Sequence, residues 1–390
     1  MHHVPLDRSN VRSLTFRTVI LAVFSLSLTG CSHFRPHILN TEYVYCTSQR
    51  PVFLRDRVAA VSNHTGTVNN GDKLAVLEHG RRFLRVRDPK GEMGWIEEKA
   101  VATQQTFDTF AKLGADHAKD PAIATAVVQD TVYLHIKPGR DTERFYLLAA
   151  NDKIQLLSRA TVPKPVIPGA QPKPTAKSAG EPPPPPAMED WWLVRDAHNR
   201  TGWLYSRMME VDVPDSITRY AESQRFIGAY ILTTVNDPEA PVGAAPNNDN
   251  NVPVYITVLA PNRSGLPYDY DQVRLFTWNV KMHRYETGFR EKNVEGYLPV
   301  TVGHQADPYG KSPTAQADLP SFTYRILAAD APPIAPDPAT GLIKPTHLIT
   351  KTYRLEGNTV HRVVAPNQPD QPEARPEPEP DKTRKGRKKR

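Results

Sequence analysis

The sequence predicts an all-β chain in which two copies of one short-stranded unit precede a larger β domain. The first observation is a self-match. Val52-Phe53-Leu54 recurs as Val132-Tyr133-Leu134, and Asp72-Lys73-Leu74 as Asp152-Lys153-Ile154, both 80 positions later. Val86-Arg87-Asp88 and Gly94-Trp95-Ile96 recur as Val194-Arg195-Asp196 and Gly202-Trp203-Leu204, 108 positions later. Ordered matches of this kind mark a repeated structural unit. The second observation is alternation: Phe83-Leu84-Arg85-Val86-Arg87 has the period of a strand with one buried face. The third is punctuation by turn residues, as in Asn70-Gly71-Asp72 and Asp88-Pro89-Lys90-Gly91. A chain of 390 residues has room for two or three domains.

The first unit covers residues 43–103. Its strands are Val44-Tyr45-Cys46-Thr47, then Lys73–Leu77, Phe83–Arg87 and a closing strand that begins at Gly94-Trp95-Ile96. Cys46 is expected to be a small buried hydrophobe in the first of these. Residues 104–126 form a linker in which Phe107, Phe110 and Leu113 fall at i, i+3 and i+6. That spacing predicts a short helix over 106–118 that packs against the repeated units. The second unit, 127–213, repeats the strands with Trp191-Trp192-Leu193-Val194-Arg195 and Gly202-Trp203-Leu204. Its 28 extra residues lie between Leu157 and Trp191, where 160–187 hold ten prolines, Pro182 to Pro186 in a row. Proline lacks the N–H a ladder needs, so 160–187 is expected to leave the sheet as a solvated loop. The third part, 217–365, opens with a helical turn over 216–222. Strand runs follow at 226–235, 252–260, 273–279, 284–289, 296–302, 322–328, 347–355 and 360–364. Glu356-Gly357-Asn358-Thr359 is the hairpin signal between the last two.

These residues together resemble the bacterial SH3-like domain family: a V-x-L leading strand, a G-D-x-[LI] strand and a closing G-W-[IL]. The resemblance covers 43–103 and 127–213 and implies small five- or six-stranded barrels. The full prediction is therefore two small SH3-like barrels followed by a β-sandwich or open-barrel domain. Two positions depart from the family: the leading strands lack its L-N-V-R, and Phe83 stands where tryptophan is usual. The resemblance implies an aromatic groove, with Trp191, Trp192, Trp95, Trp203 and Phe83 as candidate ligand-binding residues. The glycine before Trp95 and before Trp203 would let a peptide or sugar reach backbone and ring together. The competing reading makes these two tryptophans plugs of the barrel cores. Trp191 and Trp192 must point to opposite faces of one strand, so one of them is expected to be less buried, and an exposed aromatic patch, if the chain has one, to lie there.

At the start, Arg8, Arg12 and Arg17 precede the apolar run Val19 to Leu28 and then Leu28-Thr29-Gly30-Cys31. A basic region, a short apolar core and small residues are the marks of a secretory signal, here residues 1–30. The last four resemble the bacterial lipobox, which implies lipid attachment at Cys31. Ser32 after it implies an outer-membrane destination facing the periplasm. At the other end, 366–390 is a Pro/acid stretch and then Lys382, Arg384, Lys385, Arg387, Lys388, Lys389 and Arg390, with no acid among the last nine residues. These seven account for the whole net charge of +7, leaving 42 basic against 42 acidic residues. A neutral body excludes a broad nucleic-acid-binding face, whereas the tail can contact an anionic surface.

No cysteine follows Cys46, so a cysteine peptidase or transpeptidase lacks its nucleophile. His283, His304, His347 and His361 have no metal-ligand spacing, and no activated-serine motif occurs. The acid pair Glu291/Glu295 is too common a pattern to carry glycan hydrolysis. The sequence therefore points to a non-catalytic envelope protein with no cofactor or metal. It is held to the membrane by lipid on Cys31, and its barrels recognise peptidoglycan peptide or a protein. An accessory or unrecognised wall hydrolase with its chemistry in 217–365 stays open, as does a structural subunit of an envelope complex.

Overall fold

The computed structural model describes residues 41–59, 61–165, 186–245 and 249–366. Cys31 and its leader, the middle of the proline-rich insertion, and Lys382–Arg390 lie outside the described residues. The compact unit that begins at Tyr43 holds three seven-stranded antiparallel sheets, so the chain is all-β.

The first sheet contains β1 (Tyr43–Cys46), β2 (Val52–Arg55), β3 (His64–Val68), β4 (Lys73–His79), β5 (Phe83–Arg87), β6 (Met93–Glu97) and β7 (Val101–Thr103), in the order β3-β2-β6-β5-β4-β1-β7. The second contains β8 (Ala124–Val128), β9 (Val132–His135), β10 (Arg144–Leu148), β11 (Lys153–Pro163), β12 (Met188–Asp196), β13 (Thr201–Tyr205) and β14 (Met209–Val211), in the order β10-β9-β13-β12-β11-β8-β14. Strand for strand, the two orders are the same. Even the 3-10 turn between the last two strands recurs, at Glu98–Ala100 and Ser206–Met208. In the first sheet Val44, Cys46, Leu54, Val68, Leu74, Leu84, Val86 and Ile96 form one cluster. Residues from nearly opposite ends of the strand order meet there, so the sheet curls around its core. Cys46 is fully buried within it, and burial pushes its thiol pKa up.

The helix forms over Gln104–Asp116, two residues earlier than its apolar spacing predicts. Thr103 caps it, its hydroxyl accepting from the Thr106 N–H at 3.2 Å. The Phe107 ring stacks on Tyr45 at 4.1 Å, and the Phe145 ring meets both edge-on. The helix thereby binds the first sheet to the second. Tyr133 adds to this join by donating to the Thr47 carbonyl at 2.6 Å.

The insertion does not leave the ladder where its prolines suggest. β11 and β12 stay paired out to Pro163 opposite Met188, so residues 160–163 are strand. Pro163 is the last ladder residue, where its missing N–H removes least, while Thr161 and Val162 favour extended backbone. The paired arm reaches the third sheet, made of β15 (Gln224–Asn236), β16 (Asn251–Pro261), β17 (Tyr270–Asn279), β18 (Arg284–Gln305), β19 (Leu319–Leu327), β20 (Leu348–Glu356) and β21 (Thr359–Val363). These run up and down in sequence order, and β15 returns against β18 and β19. The sheet is a curled meander, an open barrel rather than a two-sheet sandwich. Runs 284–289 and 296–302 belong to one strand, because the polar residues between them keep pairing with β17, Glu291 opposite Val273 and Lys292 opposite Gln272. The predicted helical turn appears as a short helix over Asp215–Thr218.

Where the arm meets this sheet lies a buried ionic network. Arg159 is 4% exposed and donates to Asp269 at 2.8 Å, to the Tyr268 carbonyl at 2.8 Å and to the Leu266 carbonyl at 3.1 Å. Asp190, fully buried, accepts from Thr161 at 2.8 Å, Arg225 at 3.1 Å and the Gly265 N–H at 3.1 Å. Arg159 and Asp190 are 3.4 Å apart.

Candidate functional site

The duplicated sheets allow one face to be compared twice. In the first, cross-strand pairing sets Phe83 opposite Glu97, Arg85 opposite Trp95, and Arg55 opposite Trp95. In the second, the same register sets Trp191 opposite Tyr205, Leu193 opposite Trp203, and His135 opposite Trp203. All these side chains share the outer face, because Ile96 and Leu204, one residue on, point into the cores. Trp95 and Trp203 are therefore not core plugs, as the competing reading expected. The plugging residues are their aliphatic neighbours.

The glycines have another purpose than the one read from sequence. A Cβ on Gly94 would lie 2.8 Å from the Leu54 Cβ and 2.5 Å from the Thr65 hydroxyl. One on Gly202 would lie 2.7 Å from the Leu134 Cβ. Each glycine points inward, where the V-x-L strand crosses closest, and offers no approach to an outside ligand. Gly94→Ala is expected to cost about 1–3 kcal/mol by overpacking. Chemical denaturation of the variant measures it, and an unchanged midpoint would show that β2 gives way freely.

On the second sheet the face is closed. Trp191 is 1% exposed, Leu193 1% and Trp203 7%, and they cluster with Leu157 and Ala160. Leu113 of the helix, Val162 of the arm and Leu342 of a third-sheet loop complete the cover. The loop is fixed by its backbone: the Thr161 N–H donates to the Gly341 carbonyl at 2.8 Å, and Ala160 bridges Leu342. Gly341 sits at φ +71, with the space for a Cβ already taken by the Thr161 carbonyl at 2.8 Å. Only glycine fits there. No exposed aromatic patch thus lies at the Trp191/Trp192 pair. The two rings do point to opposite faces, but Trp192 enters the core and Trp191 lies under this cover. His135 packs edge-on against Trp191 at 5.0 Å, and burial depresses its pKa.

On the first sheet the same face is open. The β4–β5 hairpin ends at Gly80, so among the described residues there is no arm and no covering loop. Phe83 and Trp95 are half-buried, while Arg55, Arg85 and Glu97 are exposed. Trp95 lies over the Gly80 backbone at the hairpin end. A cleft of about 520 Å³ is lined by Arg82, Phe83, Glu97, Glu98 and Lys99. Lys99 pairs with Glu97 at 2.6 Å and Arg85 with Glu78 at 3.7 Å. Beside the face, Phe53 is exposed and stacks on His64 at 4.2 Å. Of the five aromatic candidates, then, the structure leaves Phe83 and Trp95 available and closes off Trp191, Trp192 and Trp203. The arginines at the hairpin end were not among the sequence candidates. The signal that could have found them was the missing 28 residues in the first unit.

In the third sheet Glu291 accepts from the Tyr324 hydroxyl and from Lys351, with the Tyr353 hydroxyl at 3.4 Å. A carboxylate so fully engaged is part of a structural cluster. His283 is held by the buried Asp237 carboxylate at 2.8 Å, which also accepts from the Trp278 indole at 2.7 Å. Among the described residues no three His, Cys, Asp or Glu side chains are grouped to hold a metal ion.

No family model matches the chain, and no curated protein matches it. Several solved structures are similar in part. NlpC2 from Trichomonas vaginalis is 10% identical with a TM-score of 0.14, the match covering 46% of this chain and 53% of that one. An NlpC/P60 family protein from Bacillus cereus ATCC 10987 is 11% identical with a TM-score of 0.21, over 63% and 98%. NlpC1 from Trichomonas vaginalis is 7% identical with a TM-score of 0.15, over 63% and 87%. The chain spans about half the length of the first of these. At such scores the likeness carries no argument about fold or activity.

Proposed function

We propose that the chain is a lipid-anchored, non-catalytic protein of the bacterial cell envelope, and that its first SH3-like barrel presents the ligand-binding face. The observation that carries this reading is the contrast between twin faces. One is filled by the chain itself; the other is left with two aromatic rings, a cleft and a charged rim. An aromatic floor with polar groups at its edge suits a peptide, whose apolar side chains stack while its charges meet the rim. Leu28-Thr29-Gly30-Cys31 supports the anchor and, through it, the envelope as the place of action. Tethering raises the effective concentration of a wall ligand, so a weak contact suffices. The buried Cys46 offers no nucleophile, and Glu291 is engaged by its own neighbours.

The test is a pull-down of the full chain, in detergent, with purified peptidoglycan sacculi. Binding is expected, and Phe83→Ala/Trp95→Ala should weaken it at least tenfold. No binding, or binding that the double variant keeps, overturns the reading. Retention that is lost only when Lys382–Arg390 are neutralised would make the tail the contact instead.

A further inference from the structure

We propose that the open face of the first barrel docks the chain's own Pro/acid segment, Pro366–Asp381. The segment carries five carboxylates, Asp370, Glu373, Glu377, Glu379 and Asp381, against one cation, Arg375, and six prolines. In its last six residues proline and acid alternate, Pro376-Glu377-Pro378-Glu379-Pro380-Asp381. The face offers the complement of both chemistries. Half-buried Phe83 and Trp95 give flat apolar surface on which a proline ring can lie. At the hairpin end, Arg81 and Arg82 are exposed, and their guanidinium groups have no partner among the described residues. Guanidinium groups free of intramolecular partners are ready for carboxylates. Of the cleft's own acids, Glu97 is already neutralised by Lys99 at 2.6 Å, leaving Glu98. Residues 43–103 hold ten Lys/Arg against seven Asp/Glu, so the surrounding field favours an anion.

The twin supplies the precedent. There the chain covers the corresponding face with a loop from a later part of the sequence, Gly341-Leu342, seated on Ala160 and Thr161. The first barrel lacks the arm that such a loop would grip, and carries charge at positions that hold uncharged or aromatic-ring side chains in the twin: Arg85 for Leu193, Glu97 for Tyr205, Arg55 for His135. Its occupant should accordingly be a charged, extended peptide. The other proline-rich stretch, 166–185, has Lys173 and Lys177 against Glu181 and so has the wrong sign. A peptide rich in proline loses little freedom on being held extended, and attachment to the same chain supplies a high local concentration. The docking stands without the wall-binding reading. If both hold, an envelope ligand must displace the segment to reach Phe83 and Trp95.

The experiment titrates a synthetic peptide, residues 366–381, into the full chain whose five segment carboxylates are neutralised (Asp370→Asn, Glu373→Gln, Glu377→Gln, Glu379→Gln, Asp381→Asn). Saturable binding is expected, at least tenfold weaker after Arg81→Glu/Arg82→Glu, substitutions at exposed positions that leave the core untouched. The unaltered chain should bind the added peptide several-fold more weakly, since its own segment competes. No binding by the neutralised chain overturns the proposal. So does binding that survives Arg81→Glu/Arg82→Glu and is lost instead when Lys382–Arg390 are neutralised, which would pair the segment with the basic tail. Neither result depends on sacculi, so this proposal and the wall-binding reading fail separately.

Discussion

Arg159→Met should lower the stability of the chain by about 3–5 kcal/mol, the cost of leaving the largely buried Asp269 carboxylate without its cation. The Arg159 side chain is 4% exposed and joins two segments: Asp190 on the arm, and the 266–269 stretch through Asp269 and the carbonyls of Leu266 and Tyr268. Methionine keeps much of the stem's volume, so the loss reports charge and hydrogen bonding rather than a cavity. Asp190 would keep Thr161, Arg225 and the Gly265 N–H, whereas Asp269 would lose its guanidinium. The cover over the second face depends on the same arm, because Gly341 and Leu342 sit on Ala160 and Thr161. Loosening the arm should therefore raise the accessibility of Trp191. The measurements are a denaturant midpoint and acrylamide quenching of tryptophan fluorescence. A loss under about 1 kcal/mol would mean that solvent already reaches the network, and the arm would then not be the joint described above.

How far the sequence led can be judged at particular residues. The self-match between Gly94-Trp95-Ile96 and Gly202-Trp203-Leu204 was enough to place two sheets with one strand order, because the inward glycine and aliphatic residue are dictated by the crossing of Leu54 and Leu134. The third sheet was legible for a similar reason: its core strands alternate or run apolar, and the turns between them carry Gly and Asn. What was not legible was contact between units far apart in sequence. Trp191 and Trp192 read as the place for an exposed patch because nothing local shows that Leu342, about 150 residues after Trp191, will cover that face. Thr161 and Val162 read as loop because prolines surround them, although the pairing partner Asp190 decides the matter. Burial of a face is a tertiary property, and period-2 alternation says only that two faces exist.

The same contrast gives the second large effect. Trp191→Ala should cost about 3–5 kcal/mol, as expected for a large aromatic removed from a closed site. Phe83→Ala, at the matching register position of the first sheet, should cost well under half of that, because Phe83 is only half-buried and no loop among the described residues packs over it. Binding should show the reverse order. Under conditions where both variants remain folded, Trp191→Ala should retain sacculi like the parent, while Phe83→Ala should lose retention several-fold. Thermal melts and pull-downs on the two variants side by side separate the roles. If Phe83→Ala destabilises as much as Trp191→Ala and leaves retention unchanged, the two faces are equivalent structural surfaces and the ligand lies elsewhere. If the expected crossing is seen, the duplication has divided its labour, one copy holding the third sheet through its covered face and the other leaving that face free. The difference that this needs is small in sequence: an arm in one copy only, and Trp191, Leu193 and Tyr205 where the other has Phe83, Arg85 and Glu97. Apolar residues at those positions favour a permanent cover, since each large side chain removed from water contributes about 1.5–3 kcal/mol. Charged ones would have to be desolvated under such a cover, which keeps the first face open to exchange.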